Sequence, residues 1–180
     1  MNSIATLTAN NTTNTHKGLA GIDTDTLCKM RKAGLRQCFA RMEDTRYRME
    51  FVARIRGREY INDAASRSIN ATWYALESET GKLIWIVDAY DPDANYTRLV
   101  DAANRKVQAL LIVGVDDSAL RTFFTDTIPE IAWFANMQEA LHHAYYHPNE
   151  ELKVIYSPAS PNGMTATEAG ELFNREVNEL

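Results

Sequence analysis

From Lys82 onward, short apolar runs alternate with segments of helical period, and this alternation limits the fold more than any other feature of the chain. Lys82 to Val87 (Lys-Leu-Ile-Trp-Ile-Val) is apolar after its first residue, as in a strand covered on both faces. Tyr96 to Lys106 reads as a helix, Val107 to Val113 as an apolar strand ended by Gly114, and Ser118 to Phe124 as a short helix. A strand over Glu130 to Phe134, a helix over Met137 to Tyr146 and a last strand over Leu152 to Tyr156 follow. Thr165 or Thr167 can cap a terminal helix running to Leu180. Strands separated by helices of this length form βαβ units, which build a mostly parallel, doubly wound sheet. Ligands of such sheets bind beyond the carboxyl ends of the strands. The loops of interest are therefore 62–68, 88–95, 114–118 and 157–166.

Upstream, the pattern changes. Met49, Phe51, Ala53 and Ile55 fall on one side of an alternating run, against Glu50, Val52 and Arg54 on the other. An Arg56-Gly57-Arg58 turn and Tyr60-Ile61 complete a β-hairpin signal. Ile69 to Glu79 has helical character. Asp23-Thr24-Asp25 offers N-cap residues for a helix over 23–42, with Leu27, Met30, Leu35, Cys38 and Phe39 on its apolar face and Gly34 weakening it. Residues 1–22 are Asn/Thr-rich and read as a flexible tail. The expectation is one domain over 23–180. Its class is α/β, a Rossmann-like, mostly parallel doubly wound sheet of about six strands, with flanking helices and an edge β-hairpin.

The 180 residues suffice for a sizeable core, and 45% of them are hydrophobic. A formal charge of −5 disfavours sequence-independent nucleic-acid binding, which depends on neutralising phosphates. Arg41, Arg46, Arg48, Arg54, Arg56 and Arg58 do cluster, and read as a solvated hairpin face with an anion or nucleotide site as the rival. Cys28 and Cys38, ten positions apart on one expected helix, are too far apart for a disulfide and suit a reducing compartment. No run approaches the ~20 apolar residues of a membrane span, and no secretory pattern opens the chain. The default location is the cytoplasm.

The sequence contains neither a Gly-x4-Gly-Lys-Ser/Thr phosphate loop nor a Gly-x-Gly-x-x-Gly fingerprint. The loop Asp88-Ala89-Tyr90-Asp91-Pro92-Asp93 offers oxygen ligands without a full calcium-loop pattern, and reads as a turn with solvated aspartates. His143 and His147 share a helix face, but the His-Glu-x-x-His arrangement and a third ligand are missing, so they read as helix-end histidines. No serine or cysteine nucleophile has a plausible local base.

A family resemblance runs from about Met42 to Leu180. Arg46-Tyr47-Arg48-Met49-Glu50-Phe51-Val52 resembles the opening strand of the C-terminal domain of Mur ligases, the enzymes that add amino acids to the peptidoglycan precursor. The nearest members are those that add D-glutamate. In that strand the ligases place an arginine that contacts ATP, and Arg48 stands there. Tyr60-Ile61-Asn62-Asp63 resembles the next strand, whose aspartate faces the nucleotide, and Asp63 is retained. Asn70-Ala71-Thr72-Trp73-Tyr74-Ala75-Leu76 resembles the helix that follows. Ser157-Pro158-Ala159 resembles the start of the loop that holds the incoming amino acid. Ala144-Tyr145-Tyr146 and the terminal helix agree in spacing.

The departures lie on the rim. The family loop Ser-Lys-Ala-Thr-Asn is here Ala64-Ala65-Ser66-Arg67-Ser68, so Ala65 replaces the lysine and Arg67 the threonine. Asp88-Ala89 replaces a Gly-Gly pair, and Pro92 stands where the ligases have a carboxylate-binding lysine. The third loop continues as Ser160-Pro161-Asn162-Gly163-Met164 and is shortened. Ligation through an acyl phosphate needs dense cationic charge around the transferring phosphoryl group, and a carboxylate substrate here meets Asp88, Asp91 and Asp93 instead. The resemblance with its losses implies a bacterial, cytoplasmic pseudoenzyme that binds or regulates in peptidoglycan precursor synthesis. It assigns no catalytic residue and no metal ligand. Arg48 and Asp63 are the expected nucleotide contacts, and Arg67, Ser68 and Ser157 the expected substrate contacts. The cofactor the family implies is ATP or ADP with Mg2+, and the partner is a ligase or a second copy of the chain. Two alternatives stay open: a subunit lending Arg48 and Asp63 in trans to a separate ATP-binding protein, or an α/β domain binding a new small molecule on the altered rim.

Overall fold

The structure, a computed structural model, describes residues 46–115 and 118–180 together with Lys29, Met30 and Lys32. The expected tail, the helix over 23–42 with Cys28 and Cys38, and Arg41 thus lie outside the described residues, except that Lys29, Met30 and Lys32 are helical.

Eleven elements follow in the described chain: β1 (Glu50–Ile55), β2 (Arg58–Asn62), α1 (Ile69–Ser78), β3 (Leu83–Val87), α2 (Thr97–Lys106), β4 (Val107–Val113), α3 (Ser118–Phe124), β5 (Glu130–Phe134), α4 (Met137–Tyr146), β6 (Lys153–Tyr156) and α5 (Ala166–Asn178). They form one six-stranded sheet in the order β1-β2-β6-β3-β4-β5. β1 and β2 pair antiparallel as an edge hairpin, and the other pairings are parallel.

Apolar residues divide by parity between the two faces. Ile61, Leu83, Trp85, Val87, Leu110, Ile112 and Ile155 pack with α1, α2 and α3 on one face. Tyr60, Ile84, Ile86, Ala109, Leu111, Val154 and Tyr156 pack with α4 and α5 on the other. This is why β3 reads as continuously apolar: all five of its residues are buried. Moving from β2 through β3 and β4 to β5, the chain crosses one face. It then returns across the other to insert β6 between β2 and β3, and the switch in direction brings the loops after β2, β3 and β6 together.

Two expectations need correction. The strict alternation over 49–55 fails because Val52 forms a bulge: Phe51 pairs with Ile61 and Ala53 with Tyr60. Phe51 is left 58% exposed while Val52, Ala53 and Ile55 pack inward. Nor do the hairpin arginines form one solvated face. Arg54 pairs with Glu59 and Arg56 with Glu150 on the surface, whereas Arg58 is buried. Its guanidinium donates to the carbonyls of Leu152 (3.0 Å), Ala144, Tyr145 (3.2 Å), His147 (3.0 Å) and Asn149 (2.7 Å). Arg58 therefore satisfies backbone acceptors left over at the C-terminal end of α4 and in the loop beyond it. No helix among the described residues is long and apolar enough to cross a membrane.

Candidate functional site

Asp63 and Ser157 are the first residues beyond β2 and β6, which are parallel neighbours. The ladder continues past both strands, with Asp63 N–H donating to Tyr156 O at 2.8 Å and Ser157 N–H to Ile86 O at 3.1 Å. That register sets the two side chains together, and Ser157 Oγ lies 2.9 Å from Asp63 Oδ2. α1, capped by Ser68 Oγ accepting from Ala71 N–H at 3.3 Å, then carries Thr72 inward. Thr72 Oγ1 lies 2.7 Å from Ser157 Oγ and 3.3 Å from Ser66 O. Met49 N–H donates to Asp63 Oδ1 at 3.2 Å, and Trp85 Nε1 to Ser157 O at 2.8 Å. Asp63, Thr72 and Ser157 are all fully buried.

Burial pushes the Asp63 carboxyl up to about 7, against hydrogen bonds from Ser66, Ser157 and Met49 and the charge of Arg48, which pull it down. The hydroxyl chain has one proton arrangement for each state of the carboxyl. If Asp63 is ionised, Ser157 must donate to it and Thr72 to Ser157, so the single Thr72 hydroxyl proton is withdrawn from Ser66 O. If Asp63 is protonated, it donates to Ser157, Ser157 to Thr72, and Thr72 to Ser66 O, and every link is made. The chain ties four segments into one unit: the approach to β1, the loop after β2, α1, and the loop after β6.

Arg67 and Ser68 lie on the outside of this unit. The Arg67 guanidinium donates to the carbonyls of Pro161, Asn162 (3.1 Å) and Met164, clasping the loop after β2 to the loop after β6. Ala159 reinforces the clasp: it is buried at φ 61, a conformation unfavourable for a residue with a Cβ, and its N–H donates to Ser66 O at 3.2 Å. Asn162 Nδ2 donates to Tyr90 O at 2.9 Å, joining the loop after β3. The three loops enclose a cleft of about 300 Å³ lined by Arg67, Ser68, Asp91, Ala159 and Pro161.

The five residues singled out in the sequence therefore separate. Asp63 and Ser157 are joined in the interior, half-buried Arg48 acts on Asp63 through its charge, and Arg67 and Ser68 line the outer cleft. Thr72 and Trp85 are the partners that sequence reasoning missed. Thr72 had a signal: a hydroxyl among Ala71, Ala75 and Leu76 on the inward face of α1 requires a partner. In the acidic loop, Asp91 Oδ1 accepts Asp93 N–H at 3.0 Å as an ordinary turn, while Asp88 is half-buried. His143 and His147 both turn their Nε2 to Glu130, at 2.6 and 3.5 Å. No group of three or more metal-binding side chains suited to an ion occurs among the described residues.

The sequence matches no protein-family model. It is 30% identical over 170 residues, 93% of this chain, to the UDP-N-acetylmuramoylalanine–D-glutamate ligase of Porphyromonas gingivalis. To the enzymes of the same name from Christiangramia forsetii and Bacteroides fragilis it is 31% identical over 146 residues and 29% identical over 171. The chain spans 38%, 33% and 38% of these three relatives. Identity of this order along most of the chain, together with the motif order at Arg48, Asp63 and Ser157, leads to one conclusion: the protein is a homologue of the UDP-N-acetylmuramoylalanine–D-glutamate ligases that resembles the C-terminal domain of the Mur ligases.

Proposed function

We propose that this chain is a Mur ligase-like domain that binds or regulates within bacterial peptidoglycan precursor synthesis, in the cytoplasm, without catalysing ligation itself. The observation that carries the proposal is the commitment of Asp63 and Ser157 to each other. Both are fully buried, and the Asp63 carboxyl is bonded to Met49 N–H and Ser157 Oγ, with Ser66 as a third partner. Asp63 thus presents no open face, and the residues present do not fit ATP or ADP with Mg2+ in the way the resemblance implies. The rim supports the same reading. Ala65 and Pro92 occupy the positions of the family's two lysines, and the Arg67 guanidinium is engaged by loop carbonyls.

The partner we propose is a ligase, with a second copy of the chain as the other candidate. The test mixes the full chain with a UDP-N-acetylmuramoylalanine–D-glutamate ligase and follows both co-elution and ADP release. A complex with an altered rate is expected. Separate elution with an unchanged rate would remove the ligase-partner reading, and self-association shows in the same experiment. If the chain instead restored ligation to a ligase deprived of its own C-terminal domain, it would be a subunit acting in trans.

A further inference from the structure

A second cleft, of about 290 Å³, opens beyond the carboxyl ends of β3, β4 and β5, towards α4 and α5. It is distinct from the outer cleft at Arg67. Its walls are mostly carbon: Val113, Met137, Met164 and Leu172, with backbone at Gly114 and Gly163. Among the described residues that line it, Asp88 is the ionisable one. Gly163, at φ +83, sets the loop after β6 beside the loop after β3: an added Cβ would stand 3.4 Å from Ala89 Cβ and 3.7 Å from Asp88 O, both ordinary contacts. The same loop contributes Met164 to the cleft.

Two further observations bear on the ligand. The Tyr156 hydroxyl is fully buried. It lies near the Asp88 carboxyl, which burial pushes up and this hydroxyl pulls back down. Arg67 also acts on Asp88, but its guanidinium is committed to three loop carbonyls. The Asp88 carboxyl is therefore partly desolvated and forms no ion pair with a cation among the described residues.

We infer that this cleft binds a small primary amine, with its ammonium on Asp88 and a short alkyl body against Val113, Met137, Met164 and Leu172. An ammonium offers three donors to a carboxylate and gains where that carboxylate is desolvated. An anion would be repelled by Asp88. A hard metal ion needs six or more oxygen ligands, and carbon walls do not supply them. The volume is at the low end for ligand pockets, which restricts the body to a few carbons. This inference is independent of the proposal above, since it uses neither the Asp63 unit nor a protein partner.

The test is an amide-shift titration of the full chain with n-butylammonium, and with n-butanol as the uncharged control. Saturable shifts at Gly114 and Gly163 in the millimolar range are expected, with butanol binding at least about tenfold more weakly. Asp88→Asn should erase that difference. Met164→Trp, a change at a partly exposed position, should block both probes and serves if Asp88→Asn does not fold. Equal binding of amine and alcohol would overturn the inference. So would full amine binding by a folded Asp88→Asn or Met164→Trp protein, or shifts centred on Arg67 and Asp91.

Discussion

Replacing Asp63 with asparagine tests the buried hydroxyl chain at its root. The carboxyl rises from an ordinary 3.8 to about 7 on folding, so the folded state holds its proton across a range where the unfolded chain has lost it. Stability from this group is complete below pH 3.8, falls as pH rises towards 7, and does not change further above that. About three pH units at 1.36 kcal/mol each gives a loss of roughly 4 kcal/mol between the two limits. Asparagine copies the protonated state: its Nδ2 can donate to Ser157 Oγ while its Oδ1 accepts from Met49 N–H, and it has no charge to lose. Asp63→Asn should therefore exceed the parent by about 1 kcal/mol at pH 4.5 and increasingly up to about pH 7, by roughly 4 kcal/mol at most. The assay is urea unfolding of both proteins at half-unit steps from pH 4.5 to 8.5. Taking the difference between them cancels the titration of every other group. A difference that is flat with pH, or a variant less stable than the parent at pH 8, would refute both the elevated carboxyl and the direction of the hydroxyl chain.

Other outcomes follow from the packing. In Gly170→Ala the new Cβ would sit 2.4 Å from Tyr47 Cγ. Displacing the ring should cost about 1–3 kcal/mol, outweighing the helix-propensity gain of about 1 kcal/mol, as thermal unfolding would show. Arg58→Met leaves several carbonyls at the end of α4 without donors. It should lose roughly 3 kcal/mol and speed amide exchange in Tyr145 and Tyr146. Arg67→Ala should change global stability by less than about 1 kcal/mol, since the side chain is partly exposed, yet raise amide exchange at Asn162 and Gly163 by releasing the clasp.

What could be read in the sequence, and what could not, follows from physical causes. β3 and β4 were legible because strands buried on both faces are apolar at nearly every position, and the intervening helices carry their own period. The βαβ order then left few choices for the sheet. The bulge at Val52 was not legible, because one extra residue leaves composition unchanged while moving side chains to the other face. Arg58 misled for a related reason: an arginine next to a turn resembles its solvated neighbours until α4 places its carbonyls over it. At the site, the motif singled out Asp63 and Ser157, and the structure joins them in the interior. Their inward direction depends on the insertion of β6 between β2 and β3, a long-range event that local pattern does not encode. The Arg67 clasp likewise depends on carbonyls some 94–97 residues away.

We propose that the Mur ligase-like frame is kept while Asp63 and Ser157 are closed off from nucleotide in the interior. Calorimetric titration of the full chain with ATP-Mg, ADP-Mg and D-glutamate tests it most directly. Flat heats for all three, from a protein that unfolds cooperatively, are the predicted result; a saturable heat for nucleotide that disappears in Arg48→Ala would contradict it.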